Sequence, residues 1–387
     1  MAKRAATNNS SDSTLSVARR GEIVVGVYEA VQSCFAHWET LPGFDFEAVF
    51  KAYLVEAFEA PDRLGFDLAT MRLIASLKNG HTAFADDWLW REHGAPIGLA
   101  VRHDAAGWCV TKSAYEDIAP GAQIVRIGGQ PIDAFASKLL AFVSGSSIRE
   151  QRNRLFSRPF LFPQSFEIVM EDGTTRWIER GTELPPGPAE TDGRWLEDGQ
   201  RYLLTIPSFA QPRFEADAIE LLRSLTDTVH LVIDVRGNAG GNTPEALVSA
   251  LMPTRYRFWT YETPCSDGLA RARGEPPRMI VSEADWVEPA EEAFKGKLTI
   301  LIDGGTFSAA EDFVAPFKDN KRAEIVGEPT GGSSGQPYLR DLEDGMRLWV
   351  GAKRQMFPDR SPFEGVGIEP DIFKNWPPTE EPGKVPV

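Results

Sequence analysis

Apolar residues recur at spacings of three and four through the first part of the chain. Val24, Val27, Tyr28, Val31 and Phe35 form such a stripe and predict a helix over Ile23–Trp38; Phe46–Phe58 and Phe66–Leu77 repeat the pattern. The third helix runs out at Asn79-Gly80, a stop at which glycine takes the left-handed conformation, so His81 falls just past a helix end. From about Gly94 the pattern changes to short strands, Ile97–Val101, Trp108–Lys112, Gln123–Ile127 and Phe166–Met170, with a helical stretch over Asp133–Phe142. Residues 183–200 are rich in Pro, Gly and acids and read as a linker. Beyond them lie apolar runs at Tyr202–Ile206, Leu231–Val235 and Leu298–Ile302, a helical pattern at Ala216–Leu225, and strands at Glu324–Val326 and Leu348–Val350. Strands separated by helices predict an α/β layer domain.

The expected organisation is a disordered tail over 1–20, a helical region over 21–92 and a small β-rich module over 93–182. The linker over 183–200, an α/β domain over 201–376 and a C-terminal tail over 377–387 follow. A length of 387 residues suits two to three domains at roughly 150 residues each. With 25% charged and 42% apolar residues, neither wholesale disorder nor a fibrous repeat is expected. The net charge of −15 would repel phosphate backbones and anionic lipid, so no nucleic-acid partner is expected. Cys34, Cys109 and Cys265 have no C-x-x-C spacing and are expected to be reduced and mostly buried, without a disulfide framework or a metal site. No stretch approaches the ~18 apolar residues that span a bilayer, and no apolar segment follows the basic residues near the start. The expectation is a cytoplasmic protein without membrane insertion, in which Asn8 and Asn9, although they fit the glycosylation pattern, belong to a polar tail.

Four segments could carry chemistry. In L-V-I-D-V-R-G-N-A-G-G-N, Leu231–Asn242, a buried strand breaks into a Gly-rich turn whose amides could point at a bound oxygen without Cβ obstruction. Taken alone, it is equally an ordinary strand-to-helix turn. In L-T-I-L-I-D-G-G-T-F-S-A-A-E-D-F, Leu298–Phe313, a strand runs into a helix with Ser308 at its start, where free amides and the helix dipole favour a developing oxyanion. Ser308 and Glu311 also form an S-x-x-E capping box, which in isolation is the better explanation of both. R-S-P-F-E-G-V-G-I-E-P-D-I, Arg360–Ile372, places Glu364 and Glu369 in a loop, and N-G-H-T, Asn79–Thr82, places His81 in a short polar turn.

These segments, in their order along the chain, resemble a family of serine peptidases that includes the tricorn core protease and the C-terminal-processing (tail-specific) peptidases. The resemblance adds Pro120–Ile132, P-G-A-Q-I-V-R-I-G-G-Q-P-I, which is similar to a PDZ-domain turn and strand, with Ala122 and Gly128 where Asp and Asn are usual. It extends through Tyr202–Phe209, G-E-x-T-G-G and E-G-x-G-I-x-P-D. It implies a crotonase-like α/β catalytic domain flanked by helical and PDZ-like parts, needing neither cofactor nor metal and acting on peptide or unfolded protein. It implies Ser308 as nucleophile, the amides of Ala309 and of Gly240 or Gly241 as oxyanion donors, His81 as general base and Glu364 as its acidic partner.

The C-terminal-processing branch has a catalytic lysine in a G-K-G turn, where this chain reads T-G-G-S-S-G with Ser333 at the matching position, so a histidine mechanism is the better reading. Tricorn has a serine before its histidine where this chain has Gly80, so Glu364, Ser333 or Thr82 would help to orient the ring. An unperturbed histidine would give an activity that rises through a pKa of roughly 6 to 7. The PDZ-like module is expected to capture peptide or shape access and not to contribute to the chemistry. The alternatives are a non-catalytic binder of peptides or apolar ligands on the same fold, or an esterase using the same serine.

Overall fold

The computed structural model describes residues 13–376, except 105, 188–189, 198, 266–267, 269–271 and 276–277. Asn8, Asn9, most of the N-terminal tail and the tail over 377–387 lie outside the described residues.

A six-stranded sheet organises the second half of the chain, in the order Ile372–Phe373, Glu324–Gly327, Leu298–Ile302, His230–Asp234, Arg201–Thr205, Asp192–Trp195. All neighbours are parallel except the last pair. Every residue of Leu298–Ile302 is buried, as a strand covered on both faces must be, which is why it reads as a continuous apolar run. Helices Pro212–Arg223, Glu245–Leu251 and Ala309–Asp319 pack into the same core through Phe214, Leu222, Leu247, Val248, Phe313 and Phe317.

The stretch 183–200 is not only a linker: Asp192–Trp195 pairs antiparallel with Arg201–Thr205 and forms an edge of this sheet. None of its residues is buried, and Asp192, Arg194 and Trp195 are exposed, so it gave no apolar run to read.

The first helix begins earlier than its stripe suggests, at Val17, where the Ser16 hydroxyl accepts from the Arg19 amide. Residues 17–20 are therefore helix and not tail. Helices Val17–Cys34, Phe46–Glu59 and Arg63–Ser76 share a core with Met346, Leu348 and Val350. Those three residues belong to a hairpin, Tyr338–Asp341 and Met346–Val350, which pairs with Ala83–Asp86. Chain expected in the α/β domain thus closes the helical region, because the inward-facing side of Met346–Val350 is apolar at alternate positions. A third core, including Ile97, Trp108, Ile124, Leu155, Phe162 and Ile178, belongs to an antiparallel sheet of strands between Leu99 and Glu179. Within it, helix Ile148–Leu155 and strand Thr175–Glu179 carried no strong periodic signal.

The three cysteines are free, but only Cys109 is buried; Cys34 and Cys265 are partly exposed. Among the described residues no helix is long and apolar enough to cross a membrane.

Candidate active site

Two parallel neighbours, His230–Asp234 and Leu298–Ile302, end side by side in Gly-rich turns. Asp303 laces these turns together: its Oδ1 accepts from the amides of Gly237 (2.9 Å), Gly305 (2.9 Å) and Thr306 (3.1 Å). The Phe307 amide donates to the Asn238 carbonyl (2.9 Å), and the Thr306 hydroxyl donates to the Val235 carbonyl (2.9 Å).

Ser308 follows at φ 57°, ψ −124°, a backbone conformation that non-glycine residues rarely adopt. The Glu311 half of the capping box is made, since the Ser308 amide donates to Glu311 Oε2 (3.0 Å). Both approaches of the box are present in outline, yet the Ser308 side chain makes no capping hydrogen bond. Its Oγ lies 3.0 Å from His81 Nε2 instead.

Glu311 is fully buried and accepts also from Thr330 Oγ1 (2.5 Å) and the amides of Gly332 (2.8 Å) and Ser333 (3.2 Å). Burial pushes it up to about 8 against the lowering by these donors. Through them Glu311 fixes the 330–333 turn beside the helix that carries Ser308.

Gly240 packs directly on this turn: a Cβ there would lie 2.6 Å from the Phe307 carbonyl oxygen and 2.7 Å from the Ala309 nitrogen, and its φ is +90°. Its amide donates to Asn238 Oδ1 (2.9 Å). Among the described residues no hydrogen bond occupies the amides of Gly241 and Ala309. Gly240→Ala is expected to lower stability by about 1 to 3 kcal/mol through the strained φ alone, with further loss from the collision. Thermal unfolding of the variant checks this.

His81 sits where the turn after Arg63–Ser76 meets the hairpin. Its amide donates to Asn79 Oδ1 (3.1 Å), and its ring stacks on Phe307 at 4.9 Å and 11°. Its Nδ1 lies 2.8 Å from Ser333 Oγ. Ser333 is fully buried, and a Cβ on Gly80 would come within 2.8 Å of Ser333 Cβ and 2.9 Å of its Oγ. Glycine at 80 and serine at 333 therefore form one arrangement, in which the hydroxyl facing Nδ1 comes from Ser333. Thr82 does not reach the ring: its hydroxyl donates to Asn79 Oδ1 (2.8 Å) and accepts from the Gly351 amide (2.9 Å), tying the turn to the hairpin.

Glu364 Oε1 accepts from Asn79 Nδ2 (2.6 Å) and from the Ser146 hydroxyl, while its buried Oε2 has no hydrogen-bond partner. Burial pushes Glu364 up to about 8; the Ser146 and Ser333 hydroxyls act against that rise and the Glu150 charge adds to it. Burial, with the Arg154 guanidinium nearby, pushes His81 down to about 3, although the residue as a whole is half-buried. A ring held this low is neutral at pH 6 to 7.

Glu369 lies exposed on the same loop, outside this cluster. The nearby lysines are engaged elsewhere: Lys318 pairs with Asp371 (2.5 Å), and the Lys353 ammonium lies 4.1 Å from the centre of the Tyr261 ring. Among the described residues no cluster of three or more His, Cys, Asp or Glu is placed to hold a metal ion. Sequence reasoning missed Asn79 as a ligand of Glu364, and it missed Ser146, Glu150 and Arg154. The sequence signal beside them is S-I-R-E, Ser147–Glu150, an ordinary helix start that includes Glu150 but neither Ser146 nor Arg154.

Residues 202–373 match the profile of Peptidase family S41. The chain is 31% identical over 167 residues to carboxyl-terminal-processing peptidase 2, chloroplastic, of Arabidopsis thaliana, covering 43% of this chain and 30% of that protein. It is 28% identical over 141 residues to a probable CtpA-like serine protease of Staphylococcus haemolyticus, covering 36% of this chain and 26% of that protein. The matches thus span less than a third of the length of either relative.

Among solved structures, mature CPAF superposes with a TM-score of 0.69 at 15% identity, covering 92% of this chain and 93% of that one. The photosystem II D1 C-terminal processing protease gives 0.56 at 18% identity, covering 95% and 96%. At these identities the likeness establishes a shared mixed α/β fold with N-terminal helices and β-rich regions.

Proposed function

We propose, from the match of residues 202–373 to the profile of Peptidase family S41, that this chain is a serine-type peptidase acting through a Ser308 acyl-enzyme with His81 as general base. The observation that carries the reading is the 3.0 Å approach of Ser308 Oγ to His81 Nε2, on a strained turn whose helix the serine does not cap. His81 Nε2 accepts the serine proton as Oγ attacks a peptide carbonyl carbon. Nδ1 carries the other ring proton and donates it to Ser333 Oγ, and the Ser333 hydroxyl is free to donate to the open Oε2 of Glu364. Glu364 then stabilises the imidazolium through Ser333, the side chain that stands where the other branch has its lysine.

The tetrahedral oxygen is held by the amides of Gly241 and Ala309, since that of Gly240 is taken by Asn238. His81 returns its proton to the leaving amine, and water hydrolyses the acyl-enzyme with the same groups. The substrate class is peptide or unfolded protein.

The relay works with Glu364 as a carboxylate. Its raised pKa means that kcat/KM rises with pH through about 8, and that no limb appears at 6 to 7, where His81 is neutral on both sides. Glu364→Gln is expected to abolish that limb and to lower the plateau by about 10²-fold or more. A pH–rate profile of both enzymes checks it.

The reading as a peptidase is tested by incubating the protein with an unfolded protein and with a small ester and analysing the products by mass spectrometry. Cleaved peptides that vanish in Ser308→Ala are expected. Ester hydrolysis without peptide cleavage would move the assignment to an esterase.

A further inference from the structure

Helix Ile148–Leu155 lies within the β-rich part of the chain, yet three of its side chains reach the proposed active site. Arg149 Nη2 donates to the Thr330 carbonyl (2.5 Å), on the turn that holds Ser333. Arg154 Nη1 donates to the carbonyls of Gly80 (2.9 Å) and Ser144 (3.3 Å), and its guanidinium lies 4.7 Å from the centre of the Phe307 ring, the ring on which His81 stacks. Glu150 is buried between these groups. Its Oε1 lies 2.5 Å from Arg154 Nη2, and its Oε2 accepts from the Ser146 amide at 2.5 Å.

Ser146 is thereby placed with its Oγ accepting from the Gly80 amide (2.7 Å) and its single proton donated to Glu364 Oε1. The other side of the same helix is anchored too: Asn153 Oδ1 accepts from the His103 amide (2.8 Å), on the edge strand Leu99–Asp104.

We propose that Glu150 is a positioning residue of the peptidase site: held by Arg154, it seats Ser146, which in turn fixes both Glu364 and the Gly80–His81 turn. The inference rests on the Ser308–His81 reading. It gives this part of the chain a role besides capturing peptide or shaping access, since Ser146 and the helix behind it hold Glu364 and the Gly80 amide.

Glu150 cannot be a spectator for a geometric reason. A Cβ on Gly80 would meet its Oε1 at 2.6 Å, so the carboxylate fills the space against the histidine turn. The charged and titratable groups around it are Arg149 and Arg154 on its own helix, Glu364 on the C-terminal loop and His81 on the turn. Its negative charge is among the causes that hold Glu364 above the usual carboxylate range.

The test is the second-order rate of Ser308 labelling by a fluorophosphonate across pH 5 to 10, in the full chain, for the wild type, Glu150→Gln and Glu150→Asp, with thermal unfolding alongside. For Glu150→Gln the plateau rate is expected to fall on the order of 10²-fold, as for a misplacement of about 1 Å at the reacting groups. Its pH limb moves to lower pH, because the charge beside Glu364 is gone. Glu150→Asp keeps the charge but draws the carboxylate back by one methylene, so its plateau falls while its limb stays in place. If Glu150→Gln does not fold, Glu150→Asp decides. A plateau within twofold of wild type and an unmoved limb in the folded variants would overturn the proposal. A wild type that fails to label at every pH would overturn the Ser308 reading, and this inference with it.

Discussion

Ser308→Ala is expected to remove about 10⁴ to 10⁶ of peptidase turnover while leaving the melting transition almost where it was. The two halves of this expectation come from different parts of the structure. Loss of turnover follows from the serine's place beside His81 Nε2, because a nucleophile and its base act as a unit and removing either forfeits most of what the pair supplies. Preservation of stability follows from what the hydroxyl does not do. A capping serine would contribute about 0.5 to 2 kcal/mol. Here the side chain makes no capping bond, and the helix start is held by Glu311, which takes the Ser308 amide. The cost should therefore be about 0.5 kcal/mol or less. Steady-state kinetics paired with calorimetry check both halves, and a variant that lost stability and kept specific activity would return Ser308 to the role of a cap.

His81→Ala is expected to be nearly as damaging, with a loss of about 10⁴-fold or more. A lysine base would have to be held neutral by burial facing Ser308. Ser333 Oγ faces His81 Nδ1, and Lys318 and Lys353 are committed to Asp371 and to the Tyr261 ring. Lys353→Ala is therefore expected to keep turnover within about twofold, as a substitution away from the reacting groups should. A His81→Ala enzyme that retained most of its turnover while Lys353→Ala abolished it would show that the base is a different side chain.

The parts of this site that were legible in the sequence are those in which local chemistry and function coincide. Gly240 and Gly241 stand in a motif because the chain turns there with positive φ, Gly240 against Phe307–Ala309 and Gly241 against Phe209–Ala210. Ser308 and Glu311 stand three apart because a helix begins there. His81 was legible only in part: the helix before it ends at Ser76 with Lys78 at φ 45°, and Gly80 is not a left-handed stop but a glycine whose Cβ would meet Glu150 Oε1 at 2.6 Å and Ser333 Cβ at 2.8 Å. For Ser308 and Glu311 the residue types are dictated within a few positions, so a short window holds the signal.

The parts that were not legible depend on contacts across long separations. Ser146 meets Gly80 across 66 residues and Glu364 across 218, and nothing in S-G-S-S-I-R-E distinguishes it from any polar turn before a helix. Strand Asp192–Trp195 and the hairpin 338–350 were misplaced for the same reason, since both are assigned by the partner they pair with and not by their own apolar content. Thr82 is instructive in the opposite sense. Its proximity to His81 in sequence suggested that it orients the ring, whereas its hydroxyl serves Asn79 and the Gly351 amide, one step further out.

The burial of His81, Glu364 and Glu311 also lay outside what a pattern of residues can state. Burial pushes His81 down to about 3 and Glu364 up to about 8, so under the proposed mechanism the histidine is neutral across the physiological range and Glu364 is the group that titrates within it.

The central claim is that Ser308 is a nucleophile activated by His81. It is tested most directly by treating the wild-type protein and His81→Ala with a fluorophosphonate and locating the adduct by peptide mass spectrometry. The expected result is a single adduct on Ser308 in the wild type, formed far more slowly in His81→Ala; an adduct on another serine, or equal labelling of Ser308 in both proteins, would contradict the account.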